Sequence, residues 1–314
     1  MFTGYRSATI PETGERVGTG WLPPVPDMRD FTDEHEKVST ILKGIKFGSG
    51  GRAGAPVPQR VDQRQYCSPI ENQGNLGSCT AHAAVGMIEY LQRRSFDHHL
   101  NGSRLFVYKT TRNLMGLVGD TGAYIRSTMG AVVLCGVPPE VNWPYTTRTQ
   151  PGPAGERTFD DEPPAFVYAL GDNYEGEQYF CHDPVSANRL TADVLGSVKK
   201  YLAVGFPSMF GFYGFGSFDA ADVPGGIPYP CPREQAQWGH AVLAVGYDDK
   251  LKITNKRCSV TTTGALIIRN SWGASWGDHG YGYLPYDYVR YRLANDFWTC
   301  LKAEWVDTGK FGLD

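Results

Sequence analysis

The chain has 314 residues, 41% hydrophobic and 20% charged, enough for one large domain or two compact lobes around a sizeable core. A net charge of -3 with no long Lys/Arg block gives no electrostatic case for nucleic acid or an anionic membrane as partner. No apolar run has the length of a membrane span, the N-terminus lacks an apolar core of signal-peptide length, and neither a CxxC pair nor an HExxH motif is present.

A soluble monomer without metal or cofactor is therefore expected, its compartment open between the cytoplasm and export by another route. Seven cysteines would allow up to three bridges and one free thiol, but their scattered spacing pairs none of them.

Residues 1 to 55 differ in texture from the rest of the chain. WLPPVPDMRD, from Trp21 to Asp30, should be extended, because prolines fix φ and push their predecessors toward β or polyproline geometry. Thr32 suits the N-cap of a short helix, with Asp33 and Glu34 in its first turn and Val38, Ile41, Leu42 and Ile45 on one face. The glycine-rich run from Gly48 to Pro56 reads as a flexible linker and lacks the Gly-Lys-Ser/Thr ending of a phosphate loop. The expected organisation is an N-terminal extension, 1–55, followed by one domain, 56–314.

The stretch from Ser68 to Leu91 organises that domain. A loop bearing Gly74 and Gly77 runs into a helix on which Ala81, Ala84, Val85, Met87, Ile88 and Leu91 form an apolar face, with Cys79 at the junction. A thiol at a helix N-terminus sits among unpaired N–H groups at the positive end of the dipole, which favours thiolate. Gln73 supplies an amide that could face a developing oxyanion beside the Cys79 N–H. Further helices are expected through SRLFVYKTTRNL and from Asp120 to Gly136, completing a helical lobe over about 65–145.

From Thr146 to Pro184 glycine, proline and acidic residues suggest mainly loop, and Cys181 and Cys231 flank a segment they could close as a bridge. Leu190 to Gly205 reads as a helix. PSMFGFYGF and GGIPYP read as strands of a β-rich lobe over about 185–314. His240 opens the apolar run Ala241 to Tyr247 and Asn270 closes the run Gly264 to Arg269. If these runs pair antiparallel through the polar excursion Asp248 to Thr263, the two side chains come within hydrogen-bond reach.

QGNLGSCTA, WGHAVLAVGYDD and IIRNSWGASWG, in this order, resemble the nucleophile, histidine and asparagine segments of the papain-like cysteine peptidases, and VDQR from Val61 to Arg64 resembles the start of their mature domain. Leu76 and Thr80 depart from the cysteine and tryptophan usual at those places. The ending LPYDYV with LANDFWTC is more similar to bacterial and viral members than to plant or animal ones. The resemblance implies an α+β papain-like fold of two lobes, one helical and one β-rich and antiparallel, with the active-site cleft between them.

It also implies a peptidase acting on protein or peptide substrates, in which Cys79, His240, Asn270 and Gln73 are catalytic and Trp272 shields the His240–Asn270 hydrogen bond. Cys79 and His240 would form a thiolate–imidazolium pair. The family's main pocket, for the side chain two before the cleavage point, would be lined by Trp238 and Gly239, and Gly122 would meet substrate backbone. An apolar preference is implied for that pocket. Residues 1–55 would be propeptide-like, lying over part of the cleft as in a zymogen. A silent papain-fold binding module and a thiol acyltransferase are the alternatives.

Overall fold

The computed structural model describes residues 7–36, 38–39, 57–171, 176–187 and 189–303. The proposed linker Gly48 to Pro56 and the residues Ile41, Leu42 and Ile45 lie outside them.

Three helices build the first lobe: α1 (Cys79–Phe96), α2 (Arg104–Leu114) and α3 (Ile125–Cys135). Ser103 caps α2 through its side-chain oxygen, which accepts from the Phe106 N–H, and Gly136 ends α3 with φ of 67°. The expected one-sided face of α1 is not what forms: the helix is buried without a break from Cys79 through Gln92. Its one fully enclosed carboxylate, Glu89, is matched by Arg104 at 2.9 and 3.0 Å, Ser68 Oγ at 2.5 Å and the Gly102 N–H at 2.9 Å.

The second lobe is an antiparallel sheet. In chain order its strands are β3 (Arg60–Asp62), β4 (Gly176–Cys181), β5 (Ser208–Gly214), β6 (Trp238–Asn255), β7 (Val260–Arg269), β8 (Tyr281–Pro285) and β9 (Ala294–Ala303); β1 (Ser7–Thr9) and β2 (Arg16–Gly18) form a separate hairpin. The sheet order is β4-β9-β5-β6-β7-β8, with β3 added on β6. Strand alternation lets β6 serve two cores: Ala241, Leu243 and Val245 join the core around α1, while Val242 and Ala244 join a second core with Phe210, Phe212 and Trp272. That second core is covered by α5 (Thr191–Val204), and Ile10 and Val17 of the N-terminal hairpin are buried in it.

Several expectations are corrected. The stretch read as loop, Thr146 to Pro184, contains α4 (Ala165–Gly171) and strand β4, while GGIPYP forms no strand. The excursion Asp248 to Thr263 continues the β6–β7 ladder, with Lys252 opposite Thr263 and Asn255 opposite Val260. Cys231 pairs with Cys258, not with Cys181; the two Cα atoms stand 5.8 Å apart, whereas Cys181 is held on β4 with its thiol donating to Asp183.

Candidate active site

The site forms where the N-terminus of α1 meets the start of β6. Ser78 is the residue before α1, but its hydroxyl bonds Tyr145 Oη at 2.6 Å and does not cap the helix. The first-turn N–H groups of Cys79 and Thr80 are left to the sulfur, which also accepts from the Ala241 N–H at 3.4 Å.

Opposite, His240 Nε2 lies 2.7 Å from Asn270 Oδ1, and that oxygen also accepts from the Ser271 N–H at 2.8 Å. An acceptor so defined requires Nε2 to carry the proton, so Nδ1 is the basic nitrogen. Nδ1 is buried and has no hydrogen-bond partner among the described residues. Trp272 stacks on the imidazole at 4.4 Å and 27°, and Trp272, His240 and Asn270 are all buried. Gln73 is held by Ser271, whose hydroxyl donates to Gln73 Oε1 at 2.5 Å, and its amide nitrogen donates to Leu76 O at 2.7 Å.

The chain's own Gly18 to Leu22, an arm of the N-terminal extension, lies against these residues. Gln73 Nε2 donates to Gly18 O at 3.0 Å, and the Gly20 N–H points at the Cys79 sulfur. Trp21 N–H donates to Gly239 O at 3.3 Å, Ala123 N–H donates to Gly20 O at 2.8 Å, and Leu22 N–H donates to Ala123 O at 3.0 Å. Only glycines allow this approach: a Cβ at Gly18 would stand 2.1 Å from Leu76 O, and one at Gly20 2.0 Å from Gly77 O. Downstream, Arg126 grips the arm through Asp27 at 2.6 Å and through Asp30, and Arg189 reaches Asp33 at 2.9 Å and Glu34 at 2.7 Å.

Enclosure sets the charge state. Burial pushes the Cys79 thiol up to about 11, outweighing the backbone N–H groups that favour thiolate, and holds the His240 imidazole down to about 4 despite Asn270. Under the arm the two are a neutral thiol and a neutral imidazole, where a helix terminus alone would favour an ion pair. Dry surroundings penalise both charges more than one helix end repays.

The structure thus gathers Cys79, His240, Asn270, Gln73 and Trp272 at one place. Gly239 lies against the arm, but Trp238 packs into the second core against Phe218 at 5.0 Å and Trp272 at 6.0 Å. Backbone pairing to the chain in the cleft is made by Ala123; Gly122 beside it, with φ of 71°, has no room for a Cβ, which would meet Gly20 O at 2.3 Å. The covering segment begins at Gly18, three residues ahead of the extended run read from the prolines. The motif GTGW, a glycine pair before an indole, was its available signal.

Papain family cysteine protease is the family whose model matches residues 57–297. An uncharacterised peptidase C1-like protein of Acanthamoeba polyphaga mimivirus is 33% identical over 289 residues, covering 89% of this chain and 85% of that one. Digestive cysteine proteinase 1 of Homarus americanus is 25% identical over 271 residues, 81% of this chain and 72% of the lobster protein. Xylellain, a cysteine protease from Xylella fastidiosa, is a structural neighbour with a TM-score of 0.68 and 31% identity, covering 91% of this chain and 96% of its own. With the family model spanning most of the chain and the fold in agreement, the chain belongs to the papain family of cysteine proteases, hydrolases of peptide bonds.

Proposed function

We propose that this peptidase works through Cys79 and His240 by way of a thioester, and that residues 1–55 restrain it by occupying the substrate's place. Cys79 Sγ, deprotonated by His240 Nδ1, attacks the scissile carbonyl carbon. The carbonyl oxygen becomes an oxyanion that the Gln73 amide and the Cys79 N–H receive, donors of a kind worth ~3 kcal/mol each. His240 returns its proton to the leaving amine. Water, deprotonated in turn by His240, then hydrolyses the thioester and regenerates the thiol. Asn270 keeps the imidazole in the tautomer this cycle requires, and being neutral it orients without adding charge.

The observation that carries the restraint is Gly18 O on the Gln73 amide, with the Gly20 N–H on the thiol. The arm takes the oxyanion donor yet presents the sulfur with an N–H where a substrate would present a carbonyl carbon. It therefore blocks the nucleophile without offering it an electrophile. Loss of the arm would rehydrate the cleft and let the thiolate–imidazolium pair form.

The test is labelling of the full chain, of a form starting at Pro56 and of Cys79→Ala with an epoxide-bearing peptide inhibitor, located by mass spectrometry. Selective modification of Cys79, faster without the arm, is expected. A correctly folded shortened form with unchanged turnover would overturn the restraint, and absence of labelling in both would favour a binding module.

A further inference from the structure

The arm's Trp21 indicates what the pocket beside Gly239 is shaped to hold. Its ring lies against two glycines of neighbouring strands: a Cβ at Gly211 would stand 1.9 Å from the ring, and one at Gly239 2.9 Å. Tyr213 meets the ring edge-on at 5.1 Å and 64°. These walls make a slot for a wide, flat side chain.

The end of the slot is not apolar. Trp21 Nε1 donates to Asp296 Oδ2 at 3.0 Å, and Asp296 is only 3% exposed. Its backbone has φ of 66°, uncommon for a residue with a Cβ, and its N–H donates to Asp183 Oδ2 at 2.9 Å. The other oxygen, Oδ1, is already taken by the Trp298 indole N–H at 2.6 Å. One carboxylate oxygen therefore faces the slot and calls for one donor. Phenylalanine or leucine would leave it buried without a partner, which is costly. Burial pushes this carboxyl up to about 6, while the Trp21 and Trp298 indoles and Arg126 act to lower it.

Arginine would supply donors, but a positive charge is already present. Arg126 lines a cavity of about 460 Å³ together with Asp296 and Trp298, and acts on Asp296 through space. Its carboxylate partners there, Asp27 and Asp30, belong to the arm and depart with it. A second cation beside an unpaired Arg126 is disfavoured.

We propose that Asp296 is a specificity-determining residue, and that the pocket beside Gly239 selects peptide substrates presenting tryptophan, a flat ring with a single N–H donor. This assignment is offered in place of the apolar preference that the family resemblance implied through Trp238 and Gly239, and it rests on the arm standing where substrate binds.

The first arm of the test uses the full chain with Trp21 replaced by Phe, Arg or Leu, reading the rate at which iodoacetamide alkylates Cys79. Each replacement should expose Cys79 about tenfold faster than tryptophan, the factor expected from one unpaired buried oxygen. Adding Asp296→Leu should make the Trp21 chain and the Trp21→Phe variant label alike. Equal protection by phenylalanine or arginine, or a Trp–Phe gap that survives Asp296→Leu, would overturn the assignment.

The second arm ranks fluorogenic peptides on the Gly20→Val chain, differing only in the residue two before the scissile bond. Tryptophan should exceed phenylalanine and arginine in kcat/KM by about tenfold, and parity would again overturn the assignment. Cleavage without this ranking faults the pocket alone. The labelling order without any cleavage supports the pocket and faults the peptidase reading.

Discussion

Gly20 sits so close to Gly77 that a Cβ on the former would lie 2.0 Å from the carbonyl oxygen of the latter. The arm's hold on the cleft depends on a missing side chain. Gly20→Val should unseat Gly18 to Leu22 while leaving the catalytic machinery intact, raising peptide turnover at least tenfold. Continuous assay of a fluorogenic peptide checks this, and turnover no higher than that of the unaltered chain would show that the arm does not limit access.

The pH dependence of Cys79 labelling distinguishes covered from uncovered sites. Under the arm the thiol stands at about 11 and the imidazole at about 4, so between these values both are neutral. Alkylation of the full chain should climb steadily with pH and reach no plateau below pH 10. In Gly20→Val, rehydration lowers the thiol and raises the imidazole, so the rate should be nearly flat from about pH 6 to 8. Stopped labelling at a series of pH values, quantified by mass spectrometry, reads both curves.

Gln73→Ala removes the side-chain oxyanion donor, which in the covered form binds Gly18 O. In the Gly20→Val background, kcat should fall ~10²-fold or more with KM little changed, because the donor acts on the charged intermediate more than on bound substrate. An equal loss through KM alone would place Gln73 in ground-state binding.

Glu89→Ala should be the most damaging change far from the cleft surface. Glu89 is 1% exposed and holds Arg104, Ser68 and the Gly102 N–H, so its loss strands the Arg104 guanidinium in the core. About 3–5 kcal/mol of stability should be lost, measured by urea unfolding. A loss under 1 kcal/mol would mean that water or Glu71, which stands 3.3 Å from Arg104, takes over the charge.

Much of the molecule was legible in the residues themselves. Apolar spacing announced α1 to α3 and α5, although α1 is enclosed all round, and the continuous apolar runs after His240 and before Asn270 announced β6 and β7, whose two faces are both buried. Gln73, Cys79, His240, Asn270 and Trp272 stand out through short motifs whose spacing survives any reading of the loops.

Tertiary structure decided the rest. The partner of Cys231, the neutral state of Cys79 and His240, the pairing made by Ala123 and the carboxylate of Asp296 at the end of the Trp21 slot all depend on what surrounds them. Trp21 and Asp296 are 275 residues apart, and a hydrogen bond across that separation imprints no periodicity on either segment. Proton affinity likewise depends on excluded water, and water is excluded here by a glycine-rich arm whose path only the folded chain defines.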